Sequence, residues 1–288
     1  MWIPLMNNDI RYLAPAKLNL FLHINGRRDD GYHELQTLFQ FIDLADELTI
    51  LPTKEPQIEL RAVLAGVNSE DNLIVRAAKL LQAHGQTKQG AIIELNKRLP
   101  MGAGIGGGSS DAATTLVVLN RLWQLHLTTT ELATLGCALG ADVPIFTHGH
   151  AAFAEGIGEQ FTPAEPECCW YVLLTPPVSV STARIFASPD LPRNTPKFAP
   201  AQYNFKKTRN DCQTIVTQHY PEVAQALDWL VEYAPARMTG TGSCVFAPFT
   251  TERQARTVAM RCPPEFAPLV CRGLNQSPLH EQIARLGI

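Results

Sequence analysis

Residues Leu99 to Ala112 read LPMGAGIGGGSSDA, with glycine at five of the seven positions from Gly102 to Gly108. The stretch before it, Ala91 to Leu95, predicts a short strand, and the apolar spacing after it predicts a helix from Asp111 to Leu125. Without Cβ atoms, Gly102, Gly104, Gly106, Gly107 and Gly108 let the backbone turn its N–H groups toward an anion, and the helix adds its positive end. Such a chain makes a phosphate cradle from Pro100 to Ser110, with Met101, Ala103 and Ile105 between the glycines. Ser109 and Ser110 bring hydroxyls to the same mouth, as further donors or as a ligand for a metal ion. One or two glycines before a capping serine would signify a flexible turn; five in so short a span point to phosphate.

The neighbouring residues decide between kinds of phosphate loop. A P-loop requires GxxxxGK[ST], and no lysine follows this glycine run. The dinucleotide pattern GxGxxG is met by Gly102, Gly104 and Gly107, so a nicotinamide-dependent oxidoreductase is the rival reading. That fingerprint needs an acidic residue about 20 residues on. The corresponding stretch, Gln124 to Thr130, holds neither Asp nor Glu.

Upstream, Arg11 to Ile24 (RYLAPAKLNLFLHI) predicts a strand, with Pro15 tolerable near an end or at an edge. Counting by twos places Leu18, Leu20, Leu22 and Ile24 in an apolar row that packs, and turns Lys17, Asn19, Phe21 and His23 to an opposite, working face. Gly26, Asp29, Asp30 and Gly31 form a turn before a second strand-like stretch, Tyr32 to Ile50. A helix is predicted from Asn72 to Ala83, and another from about Thr130 to Leu139 ending at Gly140. A strand from Cys168 to Thr175 precedes a Pro-rich, irregular stretch between Pro176 and Pro200. A helix from Glu222 to Tyr233, a strand from Cys244 to Ala247 and a helix from Glu252 to Met260 complete an α+β second half.

The 288 residues, 45% of them apolar, are enough for two ordinary domains. A net charge of −3 with scattered basic residues excludes a large polyanion-binding face, so nucleic acid is not an expected partner. There is no apolar run long enough to span a membrane, and Met1 to Ile10 has neither a basic nor an apolar leader region, so a cytoplasmic protein is expected. The seven cysteines are odd in number and lack CxxC spacing, which indicates reduced packing residues rather than disulfides or zinc.

The loop PMGAGIGGGSSDAA strongly resembles the ATP loop of the GHMP kinases. Two further segments match the family in order: PAKLNLFLHI near the start and MTGTGSCVFA from Met238 to Ala247. Together they span nearly the whole chain. The resemblance implies an N-terminal ATP-binding domain over residues 1–162 with a ribosomal-protein-S5-like fold. It implies a ferredoxin-like C-terminal domain over residues 163–288, with the substrates in the cleft between the two. The segments GYHELQT, LGADVPIF and NQSPLH resemble the branch that phosphorylates the 2-hydroxyl of a diphosphocytidyl sugar alcohol on the non-mevalonate route to isoprenoids. Homoserine, mevalonate and sugars, the acceptors of other branches, are the alternatives.

Phosphoryl transfer to an alcohol needs a charge cradle, a metal to neutralise the phosphates and a group that orients or deprotonates the hydroxyl. Asp142 follows the Gly140 stop and precedes Pro144, a position open to a base or to a helix N-cap; the family position is the catalytic aspartate. Lys17 by itself reads rather as a snorkelling edge residue; in the family it pairs with that aspartate and the transferring group. The resemblance further assigns substrate contacts to Asn19, Tyr32, His33, Phe39, Thr182 and Phe186, the aromatic rings among them suiting cytosine, and to the second glycine turn, Gly240, Thr241 and Gly242. No acidic residue stands out for Mg²⁺, which leaves the ATP phosphates, water and Ser110 to hold it. A monomer or weak homodimer is expected.

Overall fold

The computed structural model of the chain describes residues 10–62 and 68–287. Met1 to Asp9, on which the expectation about a leader falls, residues 63–67 and Ile288 lie outside the described residues. The first half runs β1 (Arg11–Arg27), β2 (His33–Thr53), β3 (Ile58–Arg61), α1 (Leu73–His84), β4 (Gly90–Asn96), α2 (Gly107–Leu122), α3 (Thr129–Cys137), α4 (Val143–His148), β5 (Ala152–Glu155) and β6 (Gln160–Pro163). The second adds β7 (Trp170–Leu174), α5 (Thr182–Ala187), α6 (Gln213–His219), α7 (Pro221–Val231), β8 (Arg237–Met238), β9 (Val245–Phe249), α8 (Glu252–Ala259), β10 (Leu269–Leu274) and α9 (Pro278–Leu286).

All ten strands belong to one sheet whose main path is β3-β4-β2-β10-β7-β9-β8. Near its middle, β10 pairs with β2 through Gly273 to Ile42 and Leu274 to Phe41, and with β7 on its other side. The two halves of the chain are therefore hydrogen-bonded into a continuous layer. Each half has its own apolar core, and a third core, which includes Leu18, Phe21, Ile105, Phe153, Leu173 and Phe246, is drawn from both. The last helix returns to the start: Gln282 accepts from the Leu13 N–H at 3.1 Å, and Leu279 and Ile283 join the N-terminal core.

Among the named strands of the described residues β1 pairs with β2 alone, so Pro15 sits on an edge strand, beside a register shift between Pro15 and Lys17. The expectation of one packing and one working face is not met. Phe21 is fully buried and shares a core with Leu18 and Leu20. The register slips again between Asn19 and Leu22, and a slip of one residue exchanges the faces of a strand. The outer edge of β1 is closed by loops rather than by a strand. Lys17 N–H donates to Ile105 O at 3.0 Å, Asn19 N–H to Thr239 Oγ1 at 2.8 Å, and Leu22 N–H to Arg209 O at 3.0 Å. Orphan edge groups thus fix the two glycine turns beside the strand.

The helix after the glycine run starts at Gly107, four residues before Asp111, and stops at Leu122. Its first-turn N–H groups need no intrahelical partner, so glycine is admitted there at little cost in hydrogen bonding. Left-handed Gln124 (φ 55°), just past the C-cap Trp123, stops it short of Leu125. Other predicted elements hold to within a few residues, and Pro176 to Pro200 is irregular except for α5. The dinucleotide fold is excluded: α2 leads into α3 and α4 rather than into a parallel strand, and β3–β4 is the parallel pair among the named strands.

Candidate active site

The glycine run is folded by contact with the second turn as much as by its own residues. Gly102, Gly104 and Gly106 have φ of 66°, 74° and 75°, and Gly106 is the N-cap of α2. A Cβ on Gly104 would lie 2.5 Å from Thr239 O and 2.8 Å from Gly242 O, and one on Gly240 would lie 2.8 Å from Gly104 O. The two turns meet backbone to backbone, and Cys244 N–H donates to Ala103 O at 3.1 Å. Pro100 to Ser109 line a cleft of about 360 Å³ together with Asp71, Asn72, Leu73, Lys97, Asp111 and Asp142. Ser110 does not line it: this residue is fully buried in α2 and its Oγ has no partner. The hydroxyl that reaches the cleft is that of Ser109.

A second cavity of about 600 Å³ adjoins the first, and Gly102, Gly104, Ser109 and Asp142 line both. Asp142 stands at the head of α4, but its side chain makes no capping hydrogen bond. Instead Oδ2 lies 3.1 Å from Lys17 Nζ. Lys17 is 2% exposed and Asp142 35%, so the lysine is buried beneath a carboxylate that faces the cavity. The lysine does not snorkel. Its Nζ also donates to Asn19 Oδ1 at 2.5 Å and to Gly104 O at 3.2 Å, and stands 5.4 Å from the centre of the Phe39 ring. A buried lysine nitrogen held by a carboxylate, an amide and a loop carbonyl is fixed in place at the junction.

The larger cavity brings together every residue assigned to the acceptor: Asn19, Tyr32, His33, Phe39, Thr182, Phe186, Gly240, Thr241 and Gly242. They come from β1, β2 and the turn before it, α5 and the second glycine turn, which the sequence spreads over more than 200 positions. Tyr32 is 58% exposed at the rim, and the His33 and Phe186 rings are 5.1 Å apart. Burial, then the neighbouring Arg193 and Arg27, hold the His33 pKa below the usual imidazole value. Thr182 Oγ1 is 2.8 Å from Thr241 Oγ1 and ties α5 to the turn. Asn19 is more committed than expected. Its amide oxygen accepts from Lys17 and its amide nitrogen donates to Thr37 Oγ1 at 2.9 Å, so its first duty is to hold the lysine.

Several supporting residues escaped the sequence reading. Asp46, fully buried, accepts from the N–H groups of Arg98 and Leu99 at 2.6 and 2.8 Å and from Lys97 Nζ at 2.6 Å, anchoring the strand end that enters the glycine run. Lys97 also donates to Asp111 Oδ2 at 2.7 Å. Burial pushes the Asp111 carboxyl up to about 7, with Lys97 opposing and Asp46 adding to the rise. Asn210 Nδ2 donates to Met238 O and Gly240 O, both at 2.8 Å, and so braces the second turn from beneath. None of these belongs to a local motif; a buried Asp or Asn inside an apolar stretch is the one signal that could have raised them.

A glycine run opening a central helix, a buried Lys–Asp pair where two cavities meet, and a second glycine turn against the first fit a kinase for small alcohols. The GHMP kinases N terminal domain matches residues 72–150, and the GHMP kinases C terminal region matches residues 200–266. A 4-diphosphocytidyl-2-C-methyl-D-erythritol kinase of Colwellia psychrerythraea is 52% identical over 98% of this chain and 96% of its own length. One of Shewanella woodyi is 56% identical over 95% of this chain and 96% of its own length. The crystal structure of a 4-(cytidine 5'-diphospho)-2C-methyl-D-erythritol kinase superposes with a TM-score of 0.80 at 30% identity, covering 92% of this chain and 99% of that one. A mevalonate kinase structure, at 18% identity and a TM-score of 0.64, shares the fold. The chain belongs to the 4-diphosphocytidyl-2-C-methyl-D-erythritol kinase family of GHMP kinases.

Proposed function

We propose that the chain transfers the γ-phosphoryl of ATP to the 2-hydroxyl of 4-diphosphocytidyl-2-C-methyl-D-erythritol, in the making of isoprenoid precursors by the non-mevalonate route. The observation that carries this reading is the meeting of two cavities at Asp142. A glycine-lined cleft suits the triphosphate, and a larger cavity with Tyr32, His33 and Phe186 at one end and Lys17 at the other suits a base-bearing acceptor.

In this reading Asp142 accepts the proton of the attacking hydroxyl, which forms its bond to the γ-phosphorus as the bond to the β,γ-bridging oxygen breaks and ADP leaves. Lys17, held by Asn19 and Gly104, faces the charge that grows on the reacting oxygens. Pro100 to Ser109 cradle the ATP phosphates; Asn19, Phe39, Thr182, Gly240, Thr241 and Gly242 shape the acceptor's seat. Mg²⁺ would be held mainly by the ATP phosphates and water. The oxygens that line the cleft, the Ser109 hydroxyl and the carboxylates of Asp71, Asp111 and Asp142, suit a hard cation, and no cluster of three His, Cys, Asp or Glu exists among the described residues to cage one. When bound, it neutralises phosphate charge. Ser110 can contribute only if the first turn of α2 opens, whereas Ser109 already faces the cleft.

The proposed domains, 1–162 and 163–288, are supported by their separate cores, although the division falls within β6 and α9 packs on the first. Among the described residues no helix is long and apolar enough to cross a membrane. The net charge of −3 supports an enzyme of small molecules rather than of nucleic acid, and a cytoplasmic location and a monomer or weak homodimer are part of the same proposal. The test is turnover with ATP and Mg²⁺ against a panel of the diphosphocytidyl alcohol, homoserine, mevalonate and sugars, read as ADP release. Turnover confined to one of the other alcohols would sink the substrate assignment.

A further inference from the structure

The loop after α5 holds an arginine that touches neither cavity yet grips both aromatic walls of the larger one. Arg193 Nε donates to His33 Nε2 at 3.0 Å. Its remaining nitrogens donate to three carbonyls of the α5 end: Nη2 to Phe186 O at 3.1 Å and Ser188 O at 2.7 Å, and Nη1 to Leu191 O at 3.0 Å. One planar group therefore spans from β2 to the backbone that carries Phe186, and holds the two rings 5.1 Å apart.

The contact with His33 has a chemical consequence. An arginine keeps its protons, so its Nε–H can only donate. The His33 Nε2 that receives it must present a lone pair, which requires the imidazole to be neutral with its proton on Nδ1. The fall in the His33 pKa from burial, Arg193 and Arg27 agrees. No hydrogen bond among the described residues uses Nδ1. In the free protein the cavity is thus lined by a histidine that can offer one N–H donor and no ring acceptor.

We propose that Arg193 is a positioning residue that sets affinity for the nucleobase end of the acceptor, by fixing His33 as an Nδ1–H donor and clamping Phe186 opposite it. This rests on the acceptor reading given above. A base with an in-plane lone pair, as a pyrimidine carbonyl or ring nitrogen has, is the matching chemistry. The charge of Arg193 itself is spent on His33 and the carbonyls, so it is no phosphate ligand.

The experiment is Arg193→Met and Arg193→Lys in the full chain, with steady-state kinetics for each substrate and ¹⁵N NMR of the His33 ring in the free protein. The expected result for Arg193→Met is an acceptor KM raised about tenfold or more, as for loss of one or two charge-assisted hydrogen bonds. The ATP KM and kcat should stay within about twofold, and the His33 proton should redistribute toward Nε2. Arg193→Lys, which keeps one charged donor, should recover part of the KM and the Nδ1–H tautomer. An unchanged acceptor KM or an unchanged tautomer in Arg193→Met would overturn the proposal, as would a parallel loss of kcat and both KM values with a lower Tm, the mark of a merely structural residue. Absence of wild-type turnover with the diphosphocytidyl alcohol is a separate failure, that of the acceptor reading, and is seen before any variant is made.

Discussion

The two glycine turns of this molecule look alike in sequence and do different work. Gly102 to Gly108 opens a 16-residue helix whose first-turn N–H groups face a cleft. Thr239 to Gly242 opens nothing: it leads into β9, and its bends are held by the Asn210 amide from one side and by the first turn from the other. Glycine serves the first turn partly by freeing N–H groups for an anion, but at Gly104 it serves both turns by letting two backbones touch. Counting glycines therefore overstates phosphate binding; what is behind each missing Cβ decides its role.

The largest effect that can break this comparison lies where the turns converge. Asp142→Asn keeps the shape of the junction but removes the proton acceptor, and kcat should fall about 100-fold or more with little change in either KM. An unaltered kcat in stopped assays of ADP release would show that the junction only binds. Next in size is Gly104→Ala. A left-handed alanine costs roughly 1–2 kcal/mol, before the overlap with Thr239 O and Gly242 O. Both KM values should rise and Tm should drop by about 5 °C or more. Gly108→Ala is the control: its Cβ would meet only Leu73 Cδ1 at 3.6 Å, and alanine favours a helix by about 1 kcal/mol over glycine, so Tm should hold or rise. Equal losses from the two alanines would erase the distinction between contact glycines and phosphate glycines.

Asn210→Ala tests the second turn alone. It strips donors from two buried carbonyls, at about 1–3 kcal/mol each, and should raise the acceptor KM by about fivefold while the ATP KM stays put. A shared rise in both would mean that the turns behave as one unit. The smallest effect is in pH. Asp111 is held up at about 7 when folded against 3.8 as a free side chain, so between these values the folded chain binds more protons than the unfolded one. The sign follows: this contribution is present below about pH 4 and is lost as pH rises through about 7. Thermal melts from pH 5 to 8 should show wild-type stability declining relative to Asp111→Asn, which carries no such proton.

Much of the first turn was legible because its signal is local. Strand, glycine run and helix are adjacent in the chain, and the order of three motifs gave the family and the α+β class. Asp142 and Lys17 could be named but not distinguished from a helix cap and an edge lysine, since both accounts need only the right residue at a helix head or on a strand. The missing side-chain cap at Asp142 and the 2% exposure of Lys17 separate them. Phe21 was misplaced on a working face because a register slip is invisible in a pattern read by twos.

The sequence by itself determined the glycine run, the class of fold and the kinds of residue at the site, because backbone freedom, hydrophobic period and motif order are written along the chain. Only the tertiary structure decided that Ser109 rather than Ser110 faces the cleft, that Asn19 spends its amide on Lys17 and Thr37, and that Asp46, Asn210 and Arg193 brace the site. Apart from the Lys17–Asn19 contact, two positions apart, those roles depend on burial or on hydrogen bonds across 18 to 160 positions of chain, and no local rule of composition or period encodes them.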